Sequence, residues 1–261
     1  MATTLYEDNN HKCIMFSDLV KGPGVQSNQF LIINDGDAAL LDPGGQLTYH
    51  PLLTAMLKYS SLDKLKYVIA SHQDPDIIAS LGMWFDFSKA TILCSELWVR
   101  FLPHLMSNKT IEGTRDTDIN NRLVGIPDGG SVLPLGKGKV MVIPAHFLHS
   151  VGNFQFYDCT SKILFSGDMG ASIATADNEQ PVENFNKHIP FMESFHKRYM
   201  VSNKVCKLWV NMVRQLDIEM IVPQHGKHFA GKDMITEFLN WVETLNCGVD
   251  LITANNYKLP A

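Results

Sequence analysis

The chain is poor in cysteine, contains no long apolar run and carries no excess of positive charge. Its 261 residues include five widely spaced cysteines without a Cys-x-x-Cys pair, which suits a reducing compartment better than a disulfide framework. No apolar run is long enough to span a membrane, and the first residues lack the basic and apolar regions of a signal peptide. The formal net charge of −5 argues against nucleic acid as a partner. We therefore expect a cytoplasmic protein without membrane insertion.

The sequence does have enough length and apolar content for one sizeable core, since 45% of its residues are hydrophobic. Short apolar runs between turn residues predict strands at 28–33, 37–41, 66–70, 90–96, 139–145, 154–158 and 162–168, and a last strand in EMIVPQHG. Helical periodicity covers about 49–59, much of 180–217, and 231–246. A strand-rich part and a helix-rich part without repeat or linker predict an α+β fold, an αββα sandwich, as one domain over 1–261.

Candidate metal ligands follow the apolar runs. The stretch YVIASHQDPDI places His72, Asp74 and Asp76 at alternate positions, which in extended backbone would share one face about 6–7 Å apart. Later runs end in four further candidates, His146 and His149 in PAHFLHSVGNF, Asp168 in LFSGDMG and His225 in VPQHGKH. Any one of these is more often an ordinary loop residue. Their repetition at strand ends predicts a metal site where loops collect at a sheet edge.

The order of these motifs resembles the metallo-β-lactamase superfamily, and within it the diiron domain of flavodiiron proteins. The hydrolases usually carry His-x-His-x-Asp-His, whereas Asp74 stands at the middle histidine here, much as glutamate does in the Glu-Pro-Asp of flavodiiron proteins. The resemblance implies two iron ions with a bridging carboxylate. By resemblance, the first iron would be held by His72, Asp74 and His149, the second by Asp76 and His225, and Asp168 would bridge them.

Two further positions are expected just behind these ligands. Ile77 stands where the superfamily often has another metal-binding histidine, so the second iron would keep an open or water-filled position beside an apolar wall. His146 could fill that position, or could be a loop histidine bonded to backbone. His228 is expected at the surface, and the aromatic cluster at 84–87 in the core or in a pocket wall.

Zinc, iron and manganese all accept nitrogen and carboxylate ligands, and raw affinity favours zinc, but three carboxylates favour iron. The resemblance to stand-alone oxygen-binding diiron proteins implies a protein without a flavodoxin domain or FMN that binds dioxygen as a peroxo-type adduct. It further implies an oxygen or iron sensor in bacterial chemotaxis with a chemoreceptor or other signalling partner, and it is compatible with a homodimer. The alternatives are an oxygen or nitric oxide reductase fed by a separate electron donor, and a dinuclear zinc hydrolase.

Overall fold

The computed structural model describes residues 1–106, 121–173 and 177–260. Within these residues, two mixed sheets pack face to face and helices cover both outer faces, which confirms the predicted αββα sandwich. The first sheet runs in chain order, β1 (Ala2–Glu7), β2 (His11–Phe16), β3 (Gln29–Asn34), β4 (Asp37–Leu41), β5 (Leu65–Ile69), β6 (Thr91–Ser95) and β7 (Leu123–Ile126).

The second sheet has the order β13, β12, β11, β10, β9, β8. Its strands are β8 (Ser131–Leu135), β9 (Gly138–Pro144), β10 (Phe154–Asp158), β11 (Ile163–Phe165), β12 (Met220–Val222) and β13 (Phe229–Ala230). The helices are α1 (Tyr49–Met56), α2 (Pro75–Ile78), α3 (Leu81–Phe87), α4 (Phe185–Tyr199), α5 (Asn203–Val213) and α6 (Lys232–Thr244). None of the helices in the described ranges is both long and apolar enough to cross a membrane.

Three apolar layers hold these elements together. Phe30 and Phe165 meet between the two sheets with ring centroids 4.8 Å apart. Trp84 is fully buried between the first sheet and α1 to α3. Phe229 and Phe238 stack at 4.4 Å between the second sheet and α4 to α6. Burial of large side chains in every layer supplies the main favourable free energy of folding.

Strand direction decides where the candidate ligands meet. In the second sheet, β9 and β11 both pair antiparallel with β10, and β12 is parallel to β11, so these three strands share one direction. In the first sheet, β5 is parallel to β4 and β6. The ligand-bearing loops leave the carboxyl ends of β5, β9, β11 and β12, and they converge at one edge of the sandwich.

Several details differ from the sequence predictions. The predicted strand at 162–168 ends early, because Gly167 turns the chain at a φ of +56°. The prediction of a surface position for His228 is wrong: its side chain is only 6% exposed, and its carbonyl accepts a hydrogen bond from Val182. In the aromatic cluster Trp84 is in the core, whereas Phe87 is exposed. The single-domain organisation over 1–261 stays a prediction.

Candidate metal centre

The segment after β5 presents three of the candidate ligands. His72 comes three residues after the end of the strand and is buried, and the backbone is extended at Asp74. Pro75 then begins the short helix α2, with Asp74 at its N-cap and Asp76 in its first turn. A helical turn, and not the extended backbone expected from the sequence, therefore separates the two carboxylates. Proline at the first helical position fixes this change of direction.

Four residues form the tighter part of the cluster. Nε2 of His149 lies 2.7 Å from Oδ2 of Asp168 and 3.3 Å from Oδ2 of Asp74. Nε2 of His72 lies 3.5 Å and 3.7 Å from the same two oxygens. One donor atom from each of the four residues fits within a common span of 4.8 Å. Such spacing is that of groups which can share one metal ion.

Asp168 connects this group to a second one. Its other oxygen, Oδ1, lies 3.3 Å from Nε2 of His225, which in turn is 3.6 Å from Oδ2 of Asp76. One carboxylate thus turns an oxygen toward each group. The Asp168 side chain is almost completely buried, because it follows β11 into the space between the sheet ends.

Hydrogen bonds behind the cluster orient two of the imidazoles. Nδ1 of His225 donates to the carbonyl of Gln26 at 2.6 Å, which leaves Nε2 free to face the carboxylates. Nδ1 of His72 lies 2.9 Å from the Ser71 hydroxyl. The backbone N–H of Ser71 donates to the buried Asp42 carboxylate. Partners of this kind fix ring orientation and tautomer in histidine metal ligands.

The charges of the cluster are strongly coupled. Burial opposes charge on Asp168, but His72, His149 and His225 hold its pKa well below the usual range. Burial likewise opposes charge on the histidines, yet the carboxylates raise the pKa of His149 to about 10 and that of His225 to about 9. Without other cations, protons on the imidazoles neutralise the carboxylates. A cluster that needs positive charge at its centre suits divalent cations.

The residues fit a pair of metal ions by a second criterion. Nε2 of His72 and Oδ1 of Asp168 are buried and make no hydrogen bond, which is costly unless another group satisfies them. Both atoms point into the cluster and belong to the groups described above. The donors are imidazole nitrogens and carboxylate oxygens without thiolate, a set that accepts zinc, iron or manganese.

A cavity of about 570 Å³ opens beside the cluster, and its wall is predominantly apolar. Val25 and Leu47 line one part, and the stacked rings of Phe195 and Tyr199, 4.7 Å apart, line another. The Tyr199 ring also lies 5.4 Å from that of His149. The sequence reasoning missed both aromatic residues, although their i,i+4 spacing on a predicted helix was a usable signal.

His146 and Ile77 are the two positions expected just behind the ligands. Nε2 of His146 donates to the carbonyl of Asp128 at 2.8 Å, and its ring packs on Phe154. Ile77 is fully buried in the apolar layer under the first sheet and does not line the cavity. Their roles at the site stay predictions.

A second cluster unites His11, Cys13 and Asp158 at the other end of the strands. Oδ1 of Asn34 accepts from the Lys137 backbone, so its Nδ2 donates to Nδ1 of His11 at 2.6 Å. The imidazole proton is therefore on Nε2, from which it is donated to Asp158 at 2.7 Å. This network is complete without a metal, and we interpret it as structural.

An αββα sandwich with histidine and aspartate clustered at its strand ends defines a protein of the metallo-β-lactamase fold. Residues 25–226 match the family model described as "ODP family beta lactamase", and the chain belongs to this family. It is 40% identical to the solved "Peroxy diiron species of chemotaxis sensor ODP", with a TM-score of 0.84 and coverage of 98% of this chain and 99% of that one. With the apo state of chemotaxis sensor ODP from T. denticola it shares 42% identity at the same TM-score and coverage.

Other proteins match at lower identity. The rubredoxin oxygen:oxidoreductase of Desulfovibrio gigas has 16% identity and a TM-score of 0.73, with coverage of 92% of this chain and 61% of that one. An uncharacterized protein of Methanocaldococcus jannaschii is 27% identical over 219 residues, 83% of this chain and 52% of that protein. The chain therefore spans about half the length of this curated relative. The predicted resemblance to stand-alone diiron proteins of this fold is confirmed.

Proposed function

We propose that this chain is a non-haem diiron protein that binds dioxygen and acts as an oxygen sensor. The observation that carries the proposal is Asp168, a buried carboxylate that turns one oxygen toward each of two ligand groups. The similarity to a chemotaxis sensor with a diiron species, over nearly the whole chain, supports iron and dioxygen. The same similarity favours a sensor over an enzyme that turns over a substrate.

The ligand assignment follows the two groups. His72, Asp74 and His149 would hold one iron, Asp76 and His225 the other, and Asp168 would bridge them. When bound, a diferrous pair supplies electrons to dioxygen. Carboxylates contribute negative charge that stabilises the ferric state, so an aspartate at position 74 favours iron over zinc.

Residues around the ligands adapt the site to a small neutral molecule. The carbonyl of Gln26 and the hydroxyl of Ser71 hold two imidazoles in place. Phe195 and Tyr199 pack their rings against one side of His149. A cavity with an apolar wall favours an uncharged diatomic gas over an ionic substrate.

We further propose a cytoplasmic signalling role with a chemoreceptor or another signalling protein as partner, and a homodimer as the assembled form. The chemotaxis role of the similar sensor supports the first suggestion. All five cysteines are free thiols, which supports a reducing compartment.

The test is an anaerobic purification followed by iron reconstitution, metal analysis and exposure to air. We expect two iron ions per chain and a stable change in the visible spectrum on exposure to dioxygen. A protein that retains only zinc and shows no optical response would contradict the proposal. Sustained oxygen consumption with a reduced flavoprotein or rubredoxin would instead identify a reductase.

A further inference from the structure

A pair of cysteines outside the metal centre has no role in the proposed function. Cys206 on α5 and Cys247 just after α6 are both fully buried, and their sulfur atoms lie 3.8 Å apart. We propose that they form a reversible dithiol–disulfide pair that is oxidised by peroxides. The proposal stands on this geometry and does not depend on the metal centre.

The contact between the two sulfurs is held by a network around the ends of α5 and α6. The side-chain amide of Asn203 donates to the carbonyls of Glu243 and Leu245, both at 2.9 Å. The Asp250 carboxylate accepts from the backbone N–H of Asn203 at 2.6 Å and from that of Cys247 at 3.2 Å. These bonds hold the two cysteines next to each other although 41 positions separate them in the sequence.

The two cysteines differ in their surroundings. Cys247 precedes a short 3-10 helix (Gly248–Leu251), and its carbonyl accepts a hydrogen bond from the Asp250 backbone N–H at 3.0 Å. The Cys206 thiol beside it lowers the pKa of Cys247, while the same contact raises that of Cys206. We assign the role of nucleophile to Cys247, because it lies two residues before the exposed segment that begins at Val249, and the thiolate is the reactive form.

Access of a peroxide to the buried Cys247 requires local opening of the adjacent surface segment. Val249 is 59% exposed, and all residues from 249 to 260 are exposed. The chain therefore reaches the surface two positions after Cys247. Local opening of such an exposed segment requires far less free energy than global unfolding. Cys94 in β6 differs, because its thiol donates to the carbonyl of Ser95 and burial raises its pKa to about 12.

The chemistry is balanced with one peroxide molecule. The Cys247 thiolate attacks one peroxide oxygen, the O–O bond breaks, and the protonated leaving oxygen departs as water or alcohol while a sulfenic acid forms. The Cys206 thiol then attacks the sulfenic sulfur, the S–S bond forms and water leaves. Two thiols are oxidised and the peroxide is reduced. A dithiol reductant reverses the reaction by thiol–disulfide exchange.

The pair adjoins the wall of the metal-centre cavity. The backbone N–H of Val249 donates to the carbonyl of Val201 at 2.8 Å, and the N–H of Val201 donates to the carbonyl of Phe147 at 3.3 Å. Tyr199, which covers His149, precedes Val201 by two positions. A disulfide at Cys247 would thus restrain the segment that carries the aromatic wall.

The experiment treats the full-length folded protein, in metal-free and metal-loaded forms, with hydrogen peroxide, blocks remaining thiols and determines intact mass and linked peptides. We expect the loss of two hydrogen atoms, a single Cys206–Cys247 link, and full reversal by dithiothreitol. Cys206→Ser and Cys247→Ser should each abolish the link, whereas the matched control Cys94→Ser should retain it.

The measurement on the unaltered chain decides the proposal even if a variant fails to fold. A link that forms only in denaturant, a link between other cysteines, or oxidation of single thiols to sulfinic acid would overturn it. Formation in the metal-free protein separates this result from the test of the metal centre. Failure of iron binding would leave the expected disulfide unchanged.

Discussion

At the scale of single residues, Asp168 has the largest expected effect on metal content, because it contacts both ligand groups. Replacement Asp168→Ala should lower iron content from two ions per chain to less than one after reconstitution. The remaining ligands would lack the shared carboxylate that offsets the charge of both ions. Metal analysis after gel filtration measures the change.

The matched control is Asp217→Ala, which removes a carboxylate that pairs with Lys162 and Lys232 at the surface. Exposed ion pairs of this kind contribute at most about 1 kcal/mol, so this variant should keep its metal. Full iron occupancy in Asp168→Ala would refute the bridging assignment.

Single-residue reasoning from sequence singled out the polar side chains that follow apolar runs, and their roles as metal ligands stay predictions. His72, Asp168 and His225 come after strands, and strand direction brings them together without knowledge of the loops. It failed for Phe195 and Tyr199, since an aromatic residue on a helix belongs to a core far more often than to a cavity wall.

At the scale of elements, α4 is attached to the metal loop by a buried histidine. Nδ1 of His196 donates to the carbonyl of Met192, and Nε2 accepts from the N–H of Gly170, two residues after Asp168. The second bond requires a neutral ring, and burial lowers the pKa of His196 to about 4.

A pH dependence of stability follows from this histidine. Between about pH 4 and 6.5 the unfolded state binds a proton that the native state does not, so stability falls as pH is lowered through this range. The loss from this one residue approaches about 3 kcal/mol near pH 4.

Urea titrations of metal-free protein at pH 7 and pH 5 measure the effect. His196→Gln should show a shallower decline than the unaltered chain, whereas His50→Gln, at an exposed position, should not. Equal declines in all three proteins would show that His196 is not held neutral.

The long elements were predictable and several short ones were not. Alternating or periodic apolar residues identify β4, β10 and α6 within a few positions. The first two strands escaped prediction, and β13 contains only two residues that pair with β12. Such strands are defined by the neighbour they pair with, and a local pattern does not record that neighbour.

At the scale of the whole molecule, the network of His11 and Asp158 joins the two sheets at the end opposite the metal centre. Asp158→Ala would leave the N–H groups of His11 and Ser161 buried without an acceptor. We expect a loss of about 3 kcal/mol in the free energy of unfolding with little change in metal content.

Chemical denaturation, with metal analysis in parallel, tests this expectation. Asp63→Asn, at an exposed position, provides the control and should leave stability unchanged. If Asp158→Ala lost its iron but kept its stability, the network would have a role in metal binding and not in stability.

Three of the proposed ligands hang from the first sheet and three from the second, at an edge that the His11 network does not reach. The ions would therefore cross-link the two sheets at this edge. Removal of the metal ions should abolish these cross-links and leave the contacts of the His11 network at the opposite end. Amide hydrogens near the ligand-bearing edge would then exchange faster than those beside Asp158. The difference in exchange rate between the two ends would therefore depend on metal content.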